Sequence, residues 1–139
     1  MTHTIQRGRA FEFRLDLHSG VPVYRQLIDQ VTGAMATGTL AAGDQLPTIR
    51  QVAVDLSINP NTVMRAYREL EIRGVLETQQ GTGTFIGHRK VKRDEVERQR
   101  QLGQLAGELV SRAGAAGFTI DELMEHLNDL RNNSEKSGR

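Results

Sequence analysis

The side chains best suited to direct chemistry are gathered in one stretch, residues 59–71. Asn59-Pro60 opens a predicted helix, because Asn is a strong N-cap and Pro is tolerated at the first helical position, where its missing N–H has no partner. Apolar residues recur at helical spacing and predict the buried face: Val63, Ala66, Tyr67 and Leu70. The opposite face presents amide, hydroxyl and guanidinium groups: Asn59, Asn61, Thr62, Arg65 and Arg68.

These groups have the chemistry needed to contact double-stranded DNA. The major groove admits an α-helix, and a side-chain amide can pair bidentately with adenine, so Asn61 is predicted to contact a base edge. We expect Thr62 to contact a thymine methyl group or a phosphate, and Arg65 and Arg68 to reach phosphates or guanine. The N-terminus of the helix also attracts phosphate through its free N–H groups and its dipole.

A structural interpretation of the same stretch stays open. Arg65 and Arg68 could form a solvated face together with Glu69 and Glu71. Three short helices and a hairpin could also make a protein-interaction module that has no affinity for DNA. Under that hypothesis the substitution Asn61→Ala changes nothing measurable on DNA.

Two earlier helices are predicted to hold this helix in place. Apolar residues at helical spacing predict a first helix over about 23–37, with Gly38 as its C-terminal stop. Thr48 and Gln51 have the spacing of a capping box and predict the start of a short second helix. A three-residue turn, 57–59, leads to the third helix. Arg50 lies in the first turn of the second helix, which is predicted to cross the DNA backbone.

A hairpin is predicted after Gly74 ends the third helix. Residues 75–78 and 84–86 form its two strands, and glycines at the tip are predicted to let it approach the minor groove closely; the tip residues are Gly81, Thr82 and Gly83. Residues 39–46 are predicted to be a connection, and alternating apolar residues over 11–15 predict a short strand or an extended arm. This order of elements is that of a winged helix-turn-helix.

Residues 89–139 predict two further helices. Residues 89–100 are dense in charge, residues 113–117 are predicted to break the helical pattern, and the tail after Arg131 is predicted to fray. Thr119 and Glu122 form a second predicted capping box. Because two helices cannot close a core of their own, their apolar stripes are predicted to dimerise: Leu102, Leu105, Leu109, Ile120, Leu123, Met124 and Leu127. The alternative is that each stripe packs on its own winged domain.

The run from residue 22 to residue 87 resembles the N-terminal domain of the GntR family of bacterial regulators. The segments that carry the resemblance are Val21-Pro22-Val23-Tyr24-Arg25-Gln26-Leu27, Gly43-Asp44-Gln45-Leu46-Pro47-Thr48-Ile49-Arg50-Gln51-Val52-Ala53, the residues 59–71, Arg73-Gly74 and Gly81-Thr82-Gly83-Thr84-Phe85. The resemblance implies DNA contacts from Arg50, Asn59, Asn61, Thr62 and Gly81.

The chain departs from many members of that family at two positions. Pro60 and Met64 stand where those members have arginine. The form Asn-Pro-Asn-Thr is instead similar to the YtrA-like subfamily, whose C-terminal region has only two helices and is implied to dimerise. The departure leaves part of the base readout to Arg65.

Composition excludes several other classes of protein. The chain has no cysteine, so thiolate metal sites and disulfides are excluded. Its formal net charge of +1 says little about partners. No secretory signal or membrane span is recognised, and a cytoplasmic location is predicted. The four histidines are scattered, so no catalytic residue, metal site or cofactor is predicted and the chain is not expected to be an enzyme; metal sensing through His88 or His126 stays open.

Together these patterns predict a mainly α fold with a small β-hairpin: a winged helix-turn-helix domain over 11–88, followed by a helical dimerisation region over 89–139. The predicted function is a sequence-specific DNA-binding transcription regulator, a repressor that binds a palindromic operator as a homodimer. One alternative is a regulator that senses a metal or an unidentified small-molecule effector and is released from DNA by it. The other is the protein-interaction module.

Overall fold

The computed structural model of the protein describes residues 11–88 and 94–137. Its elements in chain order are α1 (Val23–Thr37), β1 (Gln45–Leu46), α2 (Ile49–Leu56), α3 (Pro60–Ile72), β2 (Leu76–Gln79), β3 (Gly83–Ile86), α4 (Glu95–Ala115) and α5 (Ile120–Ser137). The fold is mainly α, as predicted. The described residues fall into two compact units, one within 11–88 and the other within 94–133. The predicted start of the second domain, residue 89, lies outside the described residues.

The core of the first unit is wholly apolar among the described residues. Helix α1 packs against α3, and α2 packs against α3 as well, so α3 is the central element. The three helices contribute Leu27, Ile28, Val31, Val52, Ala53, Val63, Ala66, Tyr67 and Leu70, and the strands add Leu46, Leu76 and Ile86. The buried face of α3 is the one that its apolar spacing predicts. Its other face is therefore left exposed.

The helix starts follow the predicted caps with one exception. The Asn59 side chain accepts a hydrogen bond from the Asn61 N–H at 2.8 Å and caps α3. The Thr48 hydroxyl accepts from the Gln51 N–H at 3.0 Å and caps α2. The Gln51 amide, however, donates to Asp55 Oδ1 at 2.8 Å instead of returning to Thr48, so the second half of that predicted capping box is wrong.

The sheet has three strands in the order β1-β3-β2, all antiparallel, rather than the predicted hairpin alone. The additional strand is β1, which pairs Gln45 with Phe85 within the segment predicted to be only a connection. Residues 11–15 form an extended arm and not a strand. Phe13 of this arm is buried and lies against Tyr67, with ring centroids 6.5 Å apart.

The second unit consists of α4 and of α5 up to residue 133. Asp94 caps α4, which begins inside the charge-rich segment and continues to Ala115, so the helix breaks only at the end of the predicted 113–117 interruption. The capping box at the start of α5 is complete: the Glu122 N–H donates to Thr119 Oγ1 and the Thr119 N–H donates to Glu122 Oε2. Helix α5 continues past Arg131 to Ser137, so residues 132–137 of the tail that was predicted to fray are helical. The last two residues of that tail lie outside the described residues. Within the described ranges no helix is long and apolar enough to cross a membrane.

Candidate nucleic-acid interface

The outer face of α3 carries the polar residues that the sequence singles out. Asn61, Arg65 and Arg68 are exposed and lie opposite the buried face of the helix. Thr62 is half-buried on the flank of the helix. Asn59 is exposed, but its side-chain oxygen is engaged in capping the helix. Of the polar residues predicted on this face of α3, Asn61, Arg65 and Arg68 are therefore the most accessible to solvent.

The charges of Arg65 and Arg68 are not neutralised by the acidic residues that follow them. Glu69 forms an ion pair with Arg73 at 3.0 Å. Glu71 accepts a hydrogen bond from the Thr78 hydroxyl at 2.6 Å. In the part of the chain that the structure describes, Arg65 and Arg68 make no ion pair or hydrogen bond. The interpretation that all four residues form one compensated solvated face is not supported.

Arg65 has a different partner, the aromatic ring of Tyr24. The Arg65 Cζ atom lies 3.7 Å from the centroid of that ring, which is the geometry of a cation–π contact. Tyr24 is the second residue of α1, a helix that the sequence predicts only from its apolar spacing. Nothing in the spacing of residues 24 and 65 along the chain signals this contact.

A tyrosine hydroxyl on α3 contacts the segment that leads into α2. Tyr67 donates a hydrogen bond from its hydroxyl to the Pro47 carbonyl oxygen at 2.6 Å, just before α2 begins. Burial raises the pKa of the Tyr67 hydroxyl well above its ordinary value. Arg50 lies in the first turn of α2, exposed and without an ion-pair partner among the described residues. The hydroxyl therefore fixes the start of the helix that carries Arg50.

The side chain of Gln45, in β1, stabilises the turn between β2 and β3. The Gln45 amide donates to the Thr82 carbonyl oxygen at 3.2 Å. Gly81 and Thr82 are exposed at the tip, whereas Gly83 is half-buried with φ of 138°. A Cβ atom on Gly83 would lie 2.6 Å from the Gln45 side-chain nitrogen. Gly83 therefore serves the geometry of the turn, and Gln45 is a supporting residue that sequence reasoning missed.

The apolar stripes of the second unit are left uncovered. Helix α4 has no buried residue, and within the described residues α4 and α5 do not pack against each other. Leu105 is 63% exposed and Met124 is 56% exposed. The remaining predicted dimerisation residues are likewise exposed, apart from the half-buried Leu123: Leu102, Leu109, Ile120 and Leu127. Within the second unit, therefore, α4 and α5 do not bury each other's apolar stripes.

His88 lies beside one carboxylate, since its backbone N–H donates to Glu77 Oε1 at 3.4 Å. Among the described residues no group of three His, Asp or Glu side chains is arranged to hold a metal ion. His18, His88 and His126 lie within the described ranges, and His3 lies outside them.

The fold and this surface together define a winged helix-turn-helix transcription regulator that binds DNA. The sequence profile of the family described as "Bacterial regulatory proteins, gntR family" matches residues 23–86. The chain is 34% identical to the HTH-type transcriptional repressor YtrA of Bacillus subtilis, over 84% of this chain and 90% of that protein. The chain therefore belongs to the GntR family, and its predicted likeness to YtrA is confirmed.

Two solved structures show the same architecture over most of the chain. A transcriptional antiterminator from Listeria monocytogenes EGD-e has a TM-score of 0.68 at 26% identity and covers 91% of this chain and 94% of its own. A GntR family transcriptional regulator from Listeria monocytogenes has a TM-score of 0.56 at 29% identity and covers 81% and 98%. The YtrA relative and the second of these structures are both named as regulators of transcription.

Proposed function

We propose that this regulator is a repressor that binds a two-fold symmetric operator as a homodimer. The observation that carries the proposal is the exposed face of α3, where the side chains of Asn61, Arg65 and Arg68 make no hydrogen bond or ion pair with another described residue. In this proposal the N-terminal half of α3 enters the major groove. The YtrA relative is named a repressor, which supports the direction of regulation.

Each predicted contact residue has a role in this proposal. Asn61 pairs with a base edge, because it is exposed in the first turn of α3 and its amide can both donate and accept. The arginines contact phosphates and fix the register of the protein on the duplex. The full set comprises Arg50, Asn59, Asn61, Thr62, Arg65, Arg68, Gly81, Thr82 and Gly83. Gly81 and Thr82 form the tip that approaches the minor groove, while Asn59 and Gly83 shape the helix start and the turn.

The homodimer is supported by the uncovered stripes of α4 and α5. Fully burying one Leu or Met side chain contributes about 1.5–3 kcal/mol, so covering both stripes supplies enough free energy to offset the cost of association. A second copy of the chain offers the same two stripes, and a two-fold arrangement lets each copy bury what the other exposes. Two such copies place their α3 helices at half-sites about one helical turn apart, roughly 34–36 Å.

The test is to select duplexes from a random-sequence library with the wild-type protein and then measure affinities by fluorescence anisotropy. We expect a palindromic consensus to be enriched. We expect Asn61→Ala to reduce the preference for that consensus over a shuffled duplex by about 5- to 150-fold, the value of one bidentate amide–base pair. Non-specific binding to the shuffled duplex is expected to stay nearly unchanged, since phosphate contacts carry no sequence information.

Asn132→Ala is the matched control. It removes the same amide from an exposed position on α5, outside the proposed interface, and should leave the preference unchanged. The proposal of sequence-specific binding is wrong if no sequence is enriched, or if Asn61→Ala retains the full preference. A consensus without two-fold symmetry would contradict the homodimer instead.

A further inference from the structure

The contact between Tyr24 and Arg65 joins the outer face of α3 to the first turn of α1. Tyr24 is half-buried and packs against the apolar core, so its ring has a fixed position. The Arg65 guanidinium lies over that ring, with Cζ 3.7 Å from its centroid. An exposed arginine side chain would otherwise sample many rotamers. The ring therefore restricts where this guanidinium can be.

Stacking leaves the hydrogen-bonding edge of the guanidinium free. The group is planar and its five N–H donors point outward in that plane, so with Cζ 3.7 Å above the ring a stacked guanidinium keeps its donors directed away from the ring. Among the described residues no acceptor takes these donors: Glu69 is paired with Arg73, and Glu71 accepts from Thr78. A guanidinium whose orientation is restricted and whose N–H donors have no acceptor among the described residues is suited to bind an acceptor on another molecule.

The acceptor that fits best is a backbone phosphate of the DNA. A side chain must extend away from its helix to reach base edges on the floor of the major groove, whereas Arg65 is folded back onto α1. Phosphates line the walls of the groove, and the fork of N–H donors on a guanidinium matches two phosphate oxygens. Asn61, one turn earlier on α3, has no such tether.

We propose that Tyr24 is a positioning residue for DNA binding, whose ring holds the Arg65 guanidinium ready to contact a phosphate of the operator. The inference rests on the proposed function. It narrows the sequence prediction for Arg65, a phosphate or a guanine, to a backbone phosphate. It also gives a role in recognition to a residue of α1 that does not itself touch the DNA.

The test is a double-mutant cycle on the selected consensus duplex, measured by anisotropy across a salt series. Arg65→Ala should reduce the slope of log affinity against log salt by about one, the loss of one phosphate contact. Tyr24→Leu keeps a large apolar side chain but removes the ring, and should weaken binding about two- to five-fold. Tyr24→Phe restores the ring and should restore the affinity. In the Arg65→Ala background, Tyr24→Leu should have no further effect.

Arg73→Ala is the charge control, because it removes a guanidinium at the end of the same helix that is already paired with Glu69. It should leave the salt slope unchanged. The inference is overturned if Tyr24→Leu costs as much with Arg65→Ala as without it, because Tyr24 then acts through packing alone. It is also overturned if Tyr24→Phe binds as weakly as Tyr24→Leu, which would assign the effect to the hydroxyl, or if Arg65→Ala leaves the slope unchanged. A wild-type protein that selects no sequence refutes the proposed function, whereas selective binding that ignores both substitutions refutes only this inference.

Discussion

Asn59 and Asn61 lie two positions apart and carry the same amide, but their surroundings give the two side chains different roles. The Asn59 oxygen is held 2.8 Å from the Asn61 N–H and completes the start of α3. The Asn61 side chain has no partner within the described residues and faces outward. Residue type alone predicts a DNA contact for both asparagines. Only their positions at the start of α3 distinguish the helix cap, Asn59, from the candidate base contact, Asn61.

Gly83 provides a residue-scale prediction about the wing. Its φ of 138° is one that L side chains rarely adopt, and an added Cβ would lie 2.6 Å from the Gln45 side-chain nitrogen. We expect Gly83→Ala to lower the free energy of unfolding by about 1–3 kcal/mol, as for other strained backbone positions. Urea denaturation, monitored by circular dichroism, measures this change in the free energy of unfolding.

Gly81→Ala is the matched comparison. Gly81 also has positive φ, 79°, but nothing lies within 4 Å of its added Cβ. Gly81→Ala should lower the free energy of unfolding by less, about 1–2 kcal/mol, because only the left-handed conformation opposes the alanine. Adding Gln45→Ala to Gly83→Ala should recover part of the stability, because it removes the steric contact. Equal losses at the two glycines, with no recovery, would contradict this account of Gly83.

At the scale of the elements, the hydroxyl of Tyr67 adds a polar contact to the apolar packing between helices. It joins α3 to the segment that enters α2 through the 2.6 Å hydrogen bond to the Pro47 carbonyl oxygen. We expect Tyr67→Phe to lower the free energy of unfolding by about 0.5–1.5 kcal/mol, the net value of one hydrogen bond. The shift should be visible in the urea midpoint at neutral pH, with little change in the denaturant slope.

The same hydroxyl predicts a dependence of stability on alkaline pH. Burial raises the Tyr67 pKa, so the folded protein keeps this proton at pH values where the unfolded chain has lost it. The contribution is therefore fully present below about pH 10, the ordinary tyrosine pKa, and is lost as the pH rises above it. Urea midpoints from pH 8 to pH 11.5 should fall more steeply for the wild type than for Tyr67→Phe. Parallel curves would show that this hydroxyl does not titrate as inferred.

The elements differ in how far the sequence could predict them. Helix α1 was predicted with its observed bounds, because its periodic apolar residues and Gly38 are local signals. Strand β1 was missed because two residues are too short to show an alternating pattern. The contacts of Tyr24 with Arg65 and of Gln45 with Thr82 were missed for another reason. They join residues 41 and 37 positions apart, and no local rule connects such positions.

At the scale of the whole molecule, charge is distributed so that bulk attraction to DNA is weak. Residues 11–88 contain six arginines and no lysine against eight acidic residues. Positive charge must therefore be concentrated on one surface for DNA to bind. The two acidic residues of α3, Glu69 and Glu71, are engaged by Arg73 and Thr78. The positions of the arginines, and not the net charge of residues 11–88, therefore determine whether this unit can bind DNA.

The exposed helices yield a prediction about assembly. Leu105→Asp puts a charge into the α4 stripe, and a two-fold interface contains the substitution twice. With about 1.5–3 kcal/mol lost per leucine, the dimer dissociation constant should rise by at least about 100-fold, and operator affinity should fall with it. Sedimentation equilibrium measures the first quantity and anisotropy the second.

Ser111→Asp places the same charge on α4 away from the leucine stripe and serves as the control. Ser111 is exposed and lies among polar residues of the helix. It should leave the dimer intact. A Leu105→Asp protein that sediments as a dimer and binds DNA normally would refute the role of the α4 stripe.

Recognition groups and uncovered apolar stripes lie in different units of the chain, and this separation has a genetic consequence. An allele encoding Asn61→Ala still makes α4 and α5, so its product would join intact subunits and form mixed dimers that read only one half-site. Such an allele should be dominant over the wild type when both are expressed. The same allele with Leu105→Asp added should be recessive, because its product no longer reaches the intact subunits.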